Sequence, residues 1–118
     1  MRYMLLVYSR EVGGEPADYS EIAAQHRAVM EETHRRGIFY GASPLQPTAT
    51  ATTVRMNEGK PLVLDGPFAE TKEQLAGYYI LECKDLDEAI EWATKIPTAC
   101  KGMDGCIEIR PLMPVDVP

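Results

Sequence analysis

Residues 2–8, Arg-Tyr-Met-Leu-Leu-Val-Tyr, put apolar side chains on both faces of a strand: Tyr3, Leu5 and Val7 on one, Met4, Leu6 and Tyr8 on the other. Residues 76–83 repeat the pattern with Tyr78, Tyr79, Ile80 and Leu81 in succession. A strand apolar at both parities has to be covered on both sides. At 118 residues the chain fits one domain, 1–118, with a single core. Only two segments carry helical periodicity, and two helices cover one face of a sheet. The other face needs a second cover, which in a chain this short is most simply the same sheet of a second copy. A homodimer is therefore expected from pattern alone. The alternative is that the aromatic side chains of the open face line a groove for a small-molecule ligand.

The remaining elements follow from local signals. Asp18 and Glu21 have capping-box spacing, and Tyr19, Ile22, Ala23, His26, Val29, Met30 and Thr33 form one helical stripe. His34, Arg35 and Arg36 suit the negative end of the helix dipole, and Gly37 supplies a left-handed stop. Ile38–Tyr40 opens a second strand that ends near Pro44, and Thr48–Met56 reads as a third. The turn Asn57-Glu58-Gly59-Lys60 leads to a short strand, Pro61–Asp65, completing a hairpin. Ala69–Gln74 is expected to form one helical turn. A second helix should run from Leu86 to Ile96, capped by Asp85, with Leu86, Ala89, Ile90 and Ala93 buried and Pro97 as its stop. Cys106–Pro111 is the last strand. The order β-α-β, hairpin, β-α-β predicts an α+β, ferredoxin-like domain with an inserted β-hairpin.

Composition narrows the function. A net charge of −6 argues against nucleic acid, because phosphate binding wants clustered Lys and Arg. No stretch approaches the roughly 20 apolar residues that span a bilayer, so no membrane partner is expected. The apolar run at the start is too short for a signal-peptide core. A cytoplasmic location follows as the expectation. Cys83, Cys100 and Cys106 match no zinc spacing; a Cys100–Cys106 bridge is conceivable, but a reducing compartment favours free thiols. The two histidines, His26 and His34, point roughly 80° apart on one helix and do not share a metal site. No phosphate loop, nucleophile elbow or His-x-x-x-His pair is present, and neither metal nor cofactor is expected.

The segment Asp65-Gly66-Pro67-Phe68-Ala69-Glu70-Thr71-Lys72-Glu73 and its continuation to Tyr79 resembles the signature of the DGPF proteins, a branch of the YCII-related family. Met1–Leu6, Leu45–Arg55, Asp87–Ala93 with Ile96-Pro97, and Glu108–Pro111 are similar to that family too, so the resemblance covers nearly the whole chain. It implies a ferredoxin-like fold, a dimeric α+β barrel with a cleft between protomers, and, for some members, association with extracytoplasmic-function sigma factors. The YciI-type branch pairs a histidine on the first helix with an aspartate after the second. His26 falls on that histidine, whereas Ile96-Pro97 stands where that branch has Asp-Pro.

His26 is the first candidate for chemistry, since an imidazole titrating near neutrality suits proton transfer. Its plainer role is a core histidine satisfied by a carbonyl or a tyrosine hydroxyl. Asp65 is the second, projecting a carboxylate to orient His26 or to bind substrate; its plainer role is to accept amides of the Gly66-Pro67 corner. Tyr8, Tyr40, Phe68 and Tyr79 are candidate substrate contacts, set against packing at a dimer seam or, for Phe68, a buried plug. Glu70, Lys72 and Glu73 suit either a polar cleft rim or a solvated turn. The leading expectation is a cofactor-free enzyme using a His26/Asp65 acid–base pair in a cleft between protomers. The competing one is a non-enzymatic ligand-binding or regulatory dimer, and a purely structural dimer is the third.

Overall fold

The computed structural model describes residues 1–11, 20–97 and 105–115. Its elements are β1 (Arg2–Ser9), α1 (Ser20–Arg35), β2 (Phe39–Pro44), β3 (Thr52–Asn57), β4 (Lys60–Asp65), β5 (Gln74–Glu82), α2 (Leu86–Lys95) and β6 (Gly105–Pro111). Four strands form an antiparallel sheet in the order β2-β5-β1-β6, and β3 and β4 pair as a separate two-stranded sheet. The chain is α+β with antiparallel sheets and, among the described residues, two helices, an arrangement compatible with a ferredoxin-like fold.

The two doubly apolar strands are the central pair. β1 lies between β5 and β6, with Leu5 opposite both Tyr79 and Ile109. Tyr3, Leu5 and Val7 of β1 and Tyr79 and Leu81 of β5 are buried and join Val29, Cys83, Ala89, Trp92 and Ile96 in one core. The other parity, Met4, Leu6, Tyr8, Tyr78 and Ile80, is only partly buried within the single chain. Alternation thus sorts each strand into a helix-covered face and an open one.

α1 ends as Gly37 requires. Gly37 (φ 73°) donates to the His34 carbonyl and Ile38 to that of Thr33, both at 3.0 Å, which is the paired closure of a Schellman motif. The expected Asp18 cap and Tyr19 lie outside the described residues. In α2 the Glu88 amide donates to Asp85 Oδ1 at 2.9 Å, as the capping pattern predicts. Its buried stripe is Ala89 and Trp92, continuing to Ile96, whereas Leu86 and Ile90 are about half exposed. The expected stripe was therefore rotated: the indole is the largest apolar group on the helix, and its burial sets the docked face.

Two further expectations are corrected. Thr48–Thr50 forms a single 3-10 turn, so β3 starts only at Thr52. The Glu11 carboxylate takes the Thr48 amide at 2.8 Å and its hydroxyl at 2.5 Å, holding that turn out of the ladder. Ala69–Gln74 makes no helical turn. The Thr71 hydroxyl donates to the Glu73 carbonyl and the Gln74 amide side chain to that of Thr71, local bonds that compete with helix formation, and Gln74 already opens β5.

Gly77 sits where β2 leaves no room for a side chain on β5. A β-carbon there would sit 2.8 Å from the Ser43 carbonyl oxygen and 3.3 Å from Pro44 Cα. Both are backbone atoms of the neighbouring strand, which cannot rotate away. Gly77→Ala is expected to lower the unfolding free energy by about 1–3 kcal/mol through forced separation of β2 from β5. A urea midpoint equal to that of the parent chain would refute it.

Candidate functional site

α1 turns Ile22, His26, Val29, Met30 and Thr33 toward the sheet, and His26 is the polar member of that stripe nearest to β5. Thr33, fully buried, satisfies itself by donating to the carbonyls of Val29 and Met30. His26 instead reaches across to β5. Its Nδ1 lies 2.6 Å from the Tyr79 hydroxyl, and the two rings are nearly parallel, 5.9 Å between centroids. The imidazole is partly buried and Tyr79 is 3% exposed. Burial lowers the histidine pKa below its ordinary 6.5 and pushes the Tyr79 phenol up to about 12. Both groups are thus neutral at pH 7. His26 Nε2 has no protein partner among the described residues. A neutral imidazole with one nitrogen anchored and the other free can give or take a hydrogen bond at a reacting atom.

Asp65 is not the group that His26 meets within the chain. It is exposed at the end of β4, opposite Thr52, and its carboxylate makes no hydrogen bond or ion pair with the described residues. Nor does it accept the amides of its own corner. Gly66 (φ 103°) instead donates to the Ala51 carbonyl at 2.8 Å, and the Thr53 hydroxyl donates to the Gly66 carbonyl at 2.8 Å. The turn is tied to β3 by backbone and threonine, which leaves the carboxylate free to face outward.

The four aromatic candidates do not share a site. Tyr79 belongs to the helix-covered face. Tyr8 alternates with buried Val7 and lies on the opposite one, opposite Cys106. Tyr40 is half exposed beneath the Arg2 guanidinium, 3.9 Å from its ring centre. Phe68 is 73% exposed, 4.7 Å from the Arg55 guanidinium carbon, and is no buried plug.

On Tyr8's face a shallow groove of about 480 Å³ is lined by Tyr8, Thr71, Lys72, Glu73, Cys106 and Glu108. Lys72 and Glu73 line this groove within the single chain, whereas Glu70, the third residue of the expected rim, does not. Thr71, Cys106 and Glu108 were missed, because only the β1–β6 register brings residue 106 beside residue 8. The Cys106 thiol lies 3.6 Å from Glu73 Oε2. Burial and the adjacent carboxylates of Glu73 and Glu108 raise its pKa, so it is no ready thiolate nucleophile. Cys83 and Cys106 are free, and Cys83 is buried with its thiol pushed up to about 11; Cys100 lies outside the described residues. No group of three or more His, Cys, Asp or Glu placed to hold a metal occurs among the described residues, and none of their helices is long and apolar enough to cross a membrane.

Comparison with known proteins agrees with the sequence resemblance. An uncharacterised protein of Rhizobium meliloti (strain 1021) is 48% identical over 85 residues, covering 72% of this chain and 68% of that protein. The YCII-related domain profile matches residues 1–116. With nearly the full length matched, the chain belongs to the YCII-related domain family.

Proposed function

We propose that the protein is a cofactor-free enzyme acting on a small polar molecule, with neutral His26 as the group that meets the reacting centre. The observation that carries this reading is the 2.6 Å contact between His26 Nδ1 and the Tyr79 hydroxyl, which holds the ring while Nε2 has no partner among the described residues. A histidine that only filled the core would be expected to have both nitrogens satisfied or to be replaced by an apolar residue. Tyr79 takes over, within the chain, the partner role first given to Asp65. Asp65 enters this reading only through a second copy.

The proposed assembly is a homodimer of the α+β barrel type, with β3 and β4 as an inserted hairpin. Its basis is the partly open apolar face of Met4, Leu6, Tyr78 and Ile80, together with a hairpin on which Val54, Met56 and Val63 are at least 60% exposed. A second reading, a ligand-binding or regulatory dimer, draws on the groove around Tyr8.

A panel of uncharged and anionic esters, lactones and enolisable ketones separates the two. The enzyme reading expects turnover of at least one compound class above the buffer rate. A panel that is flat throughout, with compounds retained at the Tyr8 groove, would replace it with the binding reading.

A further inference from the structure

His26 and His34 stand on one helix and both engage Nδ1, but with partners of different kinds. His34 Nδ1 lies 2.8 Å from the Met30 carbonyl oxygen, which only accepts, so the proton of neutral His34 is on Nδ1. His26 Nδ1 faces a hydroxyl, which can donate or accept. Were the imidazole the donor, the Tyr79 O–H would itself need another acceptor. The phenol is 3% exposed and has no second partner among the described residues. Leaving that O–H buried and unpaired would cost roughly 1–3 kcal/mol. A phenol is also the better proton donor of the two, and an imidazole nitrogen the better acceptor.

We infer that Tyr79 donates its hydroxyl hydrogen bond to His26 Nδ1, fixing the ring proton on Nε2 and making His26 a neutral donor for a carbonyl or carboxylate oxygen of the ligand. Tyr79 is a positioning residue in this arrangement. The ligand class follows from Nε2–H, which offers a proton and no lone pair; an ammonium or amide N–H finds nothing to bond there. Burial lowers the pKa of His26 and so favours the neutral state that this donor role requires. The inference rests on the proposed role of His26 and adds the chemical identity of what it meets.

The test reads the tautomer directly and needs no substrate. Long-range nitrogen–proton NMR of the intact, nitrogen-15-labelled chain at pH 8 is expected to show His26 with unprotonated Nδ1 and protonated Nε2. His34 should show the opposite pattern and serves as the internal reference. Tyr79→Phe should abolish the bias at His26, giving mixed tautomers, and leave His34 unchanged. Acetate and N-methylacetamide should shift the His26 Nε2–H resonance in the parent chain, whereas methylammonium chloride should not. A protonated Nδ1 at His26 in the parent chain overturns the inference without any variant having to fold. So does an unchanged tautomer in a folded Tyr79→Phe, a ring that responds only to methylammonium, or silence toward both oxygen probes. A flat activity panel alongside the expected tautomer removes the enzyme reading and leaves the donor site standing. Turnover with the wrong tautomer removes the inference alone.

Discussion

Replacing His26 with alanine is expected to lower turnover of a responsive ester, lactone or ketone by about 10²–10³-fold, the usual loss when one preorganised donor to a developing oxyanion is removed. The loss should fall mainly on kcat, because a donor aimed at growing negative charge matters most in the transition state. His26→Gln is the informative companion. Its side-chain amide places an N–H donor near the position of Nε2, so it should retain more activity than alanine, while a proton-shuttling role would give two equally inactive variants. The pH dependence has a definite sign. Burial sets the folded pKa of His26 below the ordinary value of 6.5, so the neutral donor persists through pH 7 and is titrated only on the acid side. The unfolded chain takes up that proton first as pH falls, so the stability linked to His26 is present above about 6.5 and declines toward the lowered folded value. Alanine would abolish this acid slope as well. Rates for His26→Ala within threefold of the parent on every responsive compound would remove His26 from the reaction.

The elements were legible in the sequence where a local rule and a long-range demand agreed. The Asp85 cap and the Gly37 stop are set by backbone groups a few residues away, so reading them needs no knowledge of the fold. The doubly apolar runs identified β1 and β5 as central for the same reason. The helical turn expected at 69–74 failed because Thr71 and Gln74 bond to nearby backbone, and the Thr48 turn because Glu11 captures it from 37 residues away.

The site was half legible. The plainer reading of His26 already named a tyrosine hydroxyl as its partner, and Tyr79 supplies one; the acid–base reading looked instead to Asp65, at the end of the hairpin, and grouped Tyr79 with Tyr8. Strand parity already separates them. Tyr79 shares a face with Leu81 and Tyr78 with Ile80, and one residue of register moves a hydroxyl from the helix side to the open side. The groove around Tyr8 required the β1–β6 pairing, which links residues about a hundred positions apart and leaves no local trace.

The open face yields the other large effect. Leu6→Lys is expected to convert a homodimer into a folded monomer, with the light-scattering mass at micromolar concentration falling from twice 13.1 kDa to 13.1 kDa. Leu6 lies at the centre of the open face, paired across β1 with Tyr78 on one side and Glu108 on the other. Within one chain a lysine there reaches the exposed Glu108 carboxylate or water, so the monomer should tolerate it. Across a two-fold interface the same change puts two ammonium groups into an apolar seam at once. Each costs several kcal/mol to strip of water, and every 1.4 kcal/mol weakens association tenfold. Gln25→Lys, at an exposed position of α1, adds the same single positive charge and should leave the mass unchanged. A circular dichroism spectrum matching the parent would show that Leu6→Lys acts on assembly and not on folding. A parent chain that is already monomeric at micromolar concentration would sink the dimer, and a fully dimeric Leu6→Lys would move the interface off this face toward the exposed hairpin of Val54, Met56 and Val63.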